Sequence, residues 1–78
     1  MLLYVFDLKI KGLKEYNTLK RRFYYQMGKS ELSKALWRTK SVLLVEDDVE
    51  VEADAFFCGF KPFVEVYKAR VSGLETVV

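Results

Sequence analysis

Few residue types in this chain are equipped for chemistry. It has no histidine, which removes a Ser-His-Asp triad, a Cys-His pair and a histidine general base. Carboxylates, Lys, Arg, Tyr, one cysteine, or a metal on oxygen ligands remain. The carboxylate that most needs an explanation is Asp7. It interrupts LLYVFDLKI, residues 2–10, an apolar run of strong strand preference. Asp7 reads in two ways. It is a strand-end group that meets water and pairs with Lys9, or with Lys68 or Arg70 of a later strand. Alternatively it is a catalytic metal ligand at the rim of a sheet, since Mg²⁺ is commonly held by one or two carboxylates plus substrate phosphates.

The charges are segregated. Residues 9–40 carry ten Lys or Arg against two acids, Glu15 and Glu31, whereas residues 46–54 carry six acids and no base. Lys14, Arg21, Arg22, Arg38 and Lys40 are the candidate phosphate contacts; such contacts give affinity that falls with salt. The same residues also read as the solvated face of a helix. Tyr24 and Tyr25 suit base stacking or an interface. The run EDDVEVEAD lacks the glycine and ligand spacing of a calcium loop. Helix capping accounts for it better, and its charge keeps it from lying against nucleic acid. Cys58 has no histidine or second cysteine to activate it. At helical spacing it shares a small apolar patch with Val51 and Ala55, which suits an interface.

These groups need elements to position them. Residues 2–10 read as a buried strand ended by Gly12. Residues 13–27 read as a helix: Leu13, Tyr16, Leu19, Phe23 and Met27 fall on one stripe, and Gly28 follows as the C-terminal cap. Residues 29–35 are polar, a loop or a short helical turn. Residues 36–46 read as a strand with a bulge or bend at RTK, countable as two short strands. Residues 47–60 fit both periodicities. Helix is preferred: Val49, Ala53, Phe56, Phe57 and Phe60 share a face, Asp47 and Glu50 resemble a capping box, and Gly59 ends it. Pro62 then opens a strand over 63–71, and LETVV, residues 74–78, is able to form one more short strand. The order β-α-β(β)-α-β predicts a two-layer α+β arrangement, the ferredoxin-like α/β plait, as a single domain over 1–78.

A chain of 78 residues buries only about 60% of its unfolded surface, so small domains commonly add a disulfide, a metal or a partner subunit. The single cysteine excludes an internal disulfide and, with no histidine, a zinc site of usual composition. Hydrophobic residues make up 51% and aromatics 15% of the chain, enough to cover both a core and an interface, so a homodimer is expected. No apolar run approaches the ~20 residues of a membrane span. No basic segment precedes the first apolar run, so the N-terminus does not read as a signal peptide. A lone cysteine and no export signal suggest the cytoplasm. Asn17 and Gln26 are the only side-chain amides against 31% charged residues, a balance of thermophile type.

Several of these residues carry a resemblance. The strand LLYVFDLKI with Asp7 near its end, the basic helix after it, and WRTKSVLLVED with Arg38, Ser41 and Val42 are similar to the small CRISPR-associated adaptation proteins. These are ferredoxin-like dimers first described as endoribonucleases. The virulence-associated protein D toxins resemble the same fold. The sequence departs from the pattern in having Phe6 before the aspartate, SVL after the bend and almost no loop before the second helix. The resemblance implies a homodimer whose two Asp7 carboxylates face each other across a cleft around one Mg²⁺. It also implies nucleic-acid binding with metal-dependent phosphodiester hydrolysis, and a protein partner. The other class of function that fits is a non-enzymatic ferredoxin-like module whose exposed face is a protein interface.

Overall fold

A computed structural model describes residues 1–10, 12 and 14–78. The elements are β1 (Leu2–Leu8), α1 (Tyr16–Lys29), a 3₁₀ turn (Glu31–Lys34), β2 (Leu36–Thr39), β3 (Val42–Val45), a 3₁₀ turn (Asp47–Val49), α2 (Glu50–Cys58) and β4 (Val64–Arg70). The four strands form one antiparallel sheet in the order β2-β3-β1-β4. Among the described residues no helix is long and apolar enough to cross a membrane.

Alternation along β1 divides the sheet into two faces. Leu2, Tyr4 and Phe6 are buried and belong to one core with Phe23 and Met27 of α1, Leu43 and Val45 of β3, and Ala53 and Phe57 of α2. Both helices therefore cover the same face. Phe23 is the hub of an aromatic cluster: its ring lies 5.5 Å from Phe6, 5.4 Å from Phe56 and 5.0 Å from Phe60. Tyr4 stacks on Phe57 at 5.4 Å. The apolar stripes read from spacing are the faces that pack, because each helix can bury only one side against a sheet. In the first helix Phe23 and Met27 are buried while Tyr16 and Leu19 are half-buried; Leu13 lies outside the described residues. In the second, Ala53 and Phe57 are buried with Val49, Phe56 and Phe60 packed around them.

Three local expectations are corrected, and one is met. Gly28 does not cap α1; the helix runs through it to Lys29. Ser30 serves instead, its N–H and hydroxyl both donating to the Met27 carbonyl while the hydroxyl oxygen accepts from Leu32 N–H. With the terminal carbonyl satisfied by Ser30, no left-handed glycine is required. The bend expected at RTK is present: the segment over 36–46 is two strands joined at Lys40 and Ser41, with a register shift between Trp37 and Thr39 that puts the irregularity at Arg38. Asp47 and Glu50 make no capping box, because the Glu50 carboxylate is drawn across to Lys68 and Arg70 of β4. Residues 74–78 form no strand in the single chain, and Val77 and Val78 are fully exposed. Gly12 adopts φ 86° with open space around it, so backbone conformation alone calls for glycine where β1 is broken off.

Candidate functional site

Asp7 stands on the face of the sheet that the helices leave uncovered. The backbone at this end of β1 is held on both sides, by Phe6 N–H to the Ser41 carbonyl at 3.0 Å and Lys9 N–H to the Phe63 carbonyl at 2.8 Å. Directly opposite Asp7 on β4 is Glu65. Two carboxylates at facing positions repel, and the structure relieves this through Glu65. Lys9 pairs with it at 2.5 Å and the Tyr67 hydroxyl donates to it at 3.0 Å. Lys9 first, and Tyr67 second, hold the Glu65 carboxyl below its ordinary range. Asp7 itself has no side-chain hydrogen bond or ion pair among the described residues. The pairings expected for it do not form. Lys9 is taken by Glu65, and Lys68 and Arg70 face the helix layer, in register with Tyr4 and Leu2.

The fit of this rim to a metal ion is limited in one chain. Among the described residues no three Asp, Glu or Cys side chains converge. Of the two facing carboxylates, Glu65 is already engaged by Lys9 and Tyr67. Among the described residues this rim therefore offers one uncommitted carboxylate, short of a Mg²⁺ site unless a second chain or a substrate supplies further oxygens.

The acids and bases of α2 and β4 form a network. Lys68 Nζ donates to Glu50 Oε2 at 2.6 Å and to Asp54 Oδ2 at 2.7 Å. Arg70 donates to both Glu50 oxygens, at 3.1 and 2.7 Å. Asp54 Oδ1 accepts the Tyr4 hydroxyl at 2.6 Å. Lys68 and then Tyr4 hold the Asp54 carboxyl low, and Arg70 and then Lys68 do the same for Glu50. The Tyr4 hydroxyl is pushed above its ordinary range by burial first and by Asp54 second. Every member is committed to a partner, so the cluster orders α2 on β4 and offers no free base. Its signal in the sequence is an acid pair four apart on α2 facing a base pair two apart on β4. Cys58 lines a cavity of about 450 Å³ beside this network, with Tyr4, Asp54 and Lys68, and Val51, Ala55 and Cys58 are all exposed.

The five candidate bases are exposed, and none forms an ion pair among the described residues. They do not make one patch. Arg22 lines a groove between the helices, with Gln26, Phe56 and Phe60. Arg21 projects from the side of α1 away from the sheet. Lys14 precedes α1 at the Asp7 end of the sheet, and Lys40 lies in the β2–β3 turn at the same end. Lys20, absent from the candidate set, joins them: with Lys40, Tyr16, Tyr24 and Ser41 it lines a cavity of about 350 Å³ bordered by Asp7. Its signal is that it falls on the flank of α1 next to Tyr16 and Tyr24, between core and solvent. The acids of residues 46–54 lie toward the other end of the sheet, where Asp47 pairs with the Met1 ammonium at 2.9 Å and Val45 faces Leu2. No family model, curated protein or solved structure matches the chain.

Proposed function

We propose that this chain is a nucleic-acid-binding homodimer with the ferredoxin-like α/β plait as its single domain over 1–78. The observation that carries the reading is the distribution of unbalanced charge. Glu50 and Asp54 are neutralised within the fold by Lys68 and Arg70. Lys14, Lys20, Arg21, Arg22, Arg38 and Lys40 are exposed with no counter-ion among the described residues, and Lys20 and Lys40 meet at the Asp7 end. With the acids of residues 46–54 drawn toward the other end of the sheet, and Asp7 and Glu65 the carboxylates left at this one, the exposed cations bias the local field toward a phosphate backbone. The β-α-β-β-α-β order with both helices on one face supports the plait.

The dimer is supported by the uncovered face. Strand pairing places Leu3, Val5, Val42, Leu44, Tyr67 and Ala69 on it; Leu44 is buried within the chain, whereas Val5 is 41% and Tyr67 64% exposed. A two-fold dimer needs one self-complementary patch, which this face would supply; an axis running along the strands would bring the two Asp7 rims together. The tail over 74–78 is then free to add to an edge strand of the second subunit. The Mg²⁺-dependent hydrolysis implied by the CRISPR-associated resemblance would need further oxygens from a second Asp7 or from substrate phosphates. A second reading, a protein-interaction module, is favoured by the groove of Phe56, Phe60 and Phe63 between the helices. A filter-binding titration with duplex DNA and RNA decides between them. Binding at about 50 mM salt that weakens steeply by about 200 mM supports phosphate contacts. Absence of binding at the lower salt rejects the nucleic-acid reading.

A further inference from the structure

The cavity at the Asp7 end carries chemistry that backbone binding does not use. Its volume, about 350 Å³, is at the low end of the ~300–1,000 Å³ of small-molecule sites, room for one nucleotide unit. Phe6 and Leu8 supply an apolar floor, and Tyr16 and Tyr24 stand along the α1 side. Planar bases stack on such rings in a sequence-tolerant way. Lys20 and Lys40 line the same cavity with no carboxylate partner among the described residues. Lys20 is held over the Tyr16 ring at 5.8 Å, so its charge is placed beside the aromatic wall. Asp7 borders the cavity, but the pleat of β1 directs its carboxylate to the opposite face of the sheet. The cations are therefore not cancelled from within.

We infer that this cavity binds a nucleoside monophosphate unit, the phosphate between Lys20 and Lys40 and the base against Tyr16 or Tyr24. The inference rests on the nucleic-acid reading and narrows it to a site for one phosphorylated nucleotide, free or at the end of a strand. Aromatic walls with two cations discriminate against inorganic phosphate, which fills no stacking surface, and against a nucleoside, which offers no anion.

The test is an amide chemical-shift titration of the full chain with uridine monophosphate, uridine and inorganic phosphate. Saturable shifts centred on Lys20, Tyr24, Lys40 and Ser41 are expected, with uridine and phosphate each at least about tenfold weaker, the equivalent of one charge-assisted hydrogen bond. Lys20→Gln and Lys40→Gln are each expected to weaken uridine monophosphate by about three- to tenfold. Both side chains are exposed, and an otherwise unchanged spectrum reports an intact fold. A short oligonucleotide with and without a terminal phosphate separates the sources: tighter binding of the phosphorylated form assigns the strand end, equal binding the free nucleotide. No saturation by about 10 mM, shifts centred elsewhere, or unchanged affinity in both variants overturns the site. Duplex binding retained in the same samples would confine that failure to the cavity, whereas loss of duplex binding too would overturn the nucleic-acid reading with it.

Discussion

The hydrogen bond from Tyr4 to Asp54 joins a buried group to a half-buried one, and removing its two ends should have unequal effects. Tyr4 is 1% exposed and its hydroxyl donates to Asp54 at 2.6 Å. Asp54→Ala leaves that donor without a partner inside the protein, at a cost of about 1–3 kcal/mol. It also loses the half-exposed contact with Lys68, a further ~0.2–1 kcal/mol. A total near 2–3 kcal/mol corresponds to a fall in Tm of roughly 8–24 °C in a domain of this size. Tyr4→Phe removes donor and desolvation penalty together and keeps the stacking on Phe57, so its cost is about 1–2 kcal/mol. With Phe at position 4, the further change Asp54→Ala loses only the exposed ion pair, under about 1 kcal/mol. Urea unfolding of the four proteins at neutral pH, followed by circular dichroism, closes the cycle. A coupling of about 1–2 kcal/mol is expected. If the two changes add to within about 0.5 kcal/mol, the hydroxyl is satisfied elsewhere and the reasoning fails.

The same carboxylates set the acid limb of stability. Glu50, Asp54 and Glu65 titrate below their ordinary values of 4.5, 3.8 and 4.5 when folded, so their stabilisation is complete above those values and is lost as pH falls through the lowered ones. Stability measured by urea should decline below about pH 4.5, less steeply in Asp54→Asn, and a flat profile down to about pH 3 would refute the assignment. Phe23→Ala, which empties the centre of the aromatic cluster, should cost about 3–5 kcal/mol, most of the stability of a small domain; near-wild-type melting would show that the cluster repacks. For the dimer, Val5→Lys and Tyr67→Glu should give a monomer by light scattering coupled to size exclusion, and a chain ending at Ser72 should dimerise more weakly. A full-length monomer at tens of micromolar, well above the Kd of a stable dimer, would sink that interface. Replacing Lys20 and Lys40 by Gln together should lower the slope of log K against log salt by up to about 1.8, and an unchanged slope would remove both from the nucleic-acid contact.

Periodicity and composition were enough to determine the helices' buried faces, the order of elements, the absence of histidine chemistry and the separation of acids from bases. These properties are local. An apolar stripe at spacings of three and four identifies the side of α1 that Phe23 and Met27 bury, whatever the partner, and the aromatic run over 56–60 does the same for α2. What tertiary structure alone decided is which charged groups meet. Asp7 was open to Lys9, Lys68 or Arg70 on paper. The register of β4 against β1 puts Glu65 opposite it and sends Lys68 and Arg70 to the other face, because side chains alternate along a strand and a one-residue change in register would have reversed the outcome. The same register draws Glu50 away from a capping box, since two cations brought within reach by the sheet outcompete a single backbone N–H. Lys20 and Lys40, twenty residues apart in sequence, line one cavity only because the β2–β3 turn folds back to the end of β1 beneath the first turns of α1. That juxtaposition depends on chain reversal between distant elements, and no spacing rule within either segment encodes it.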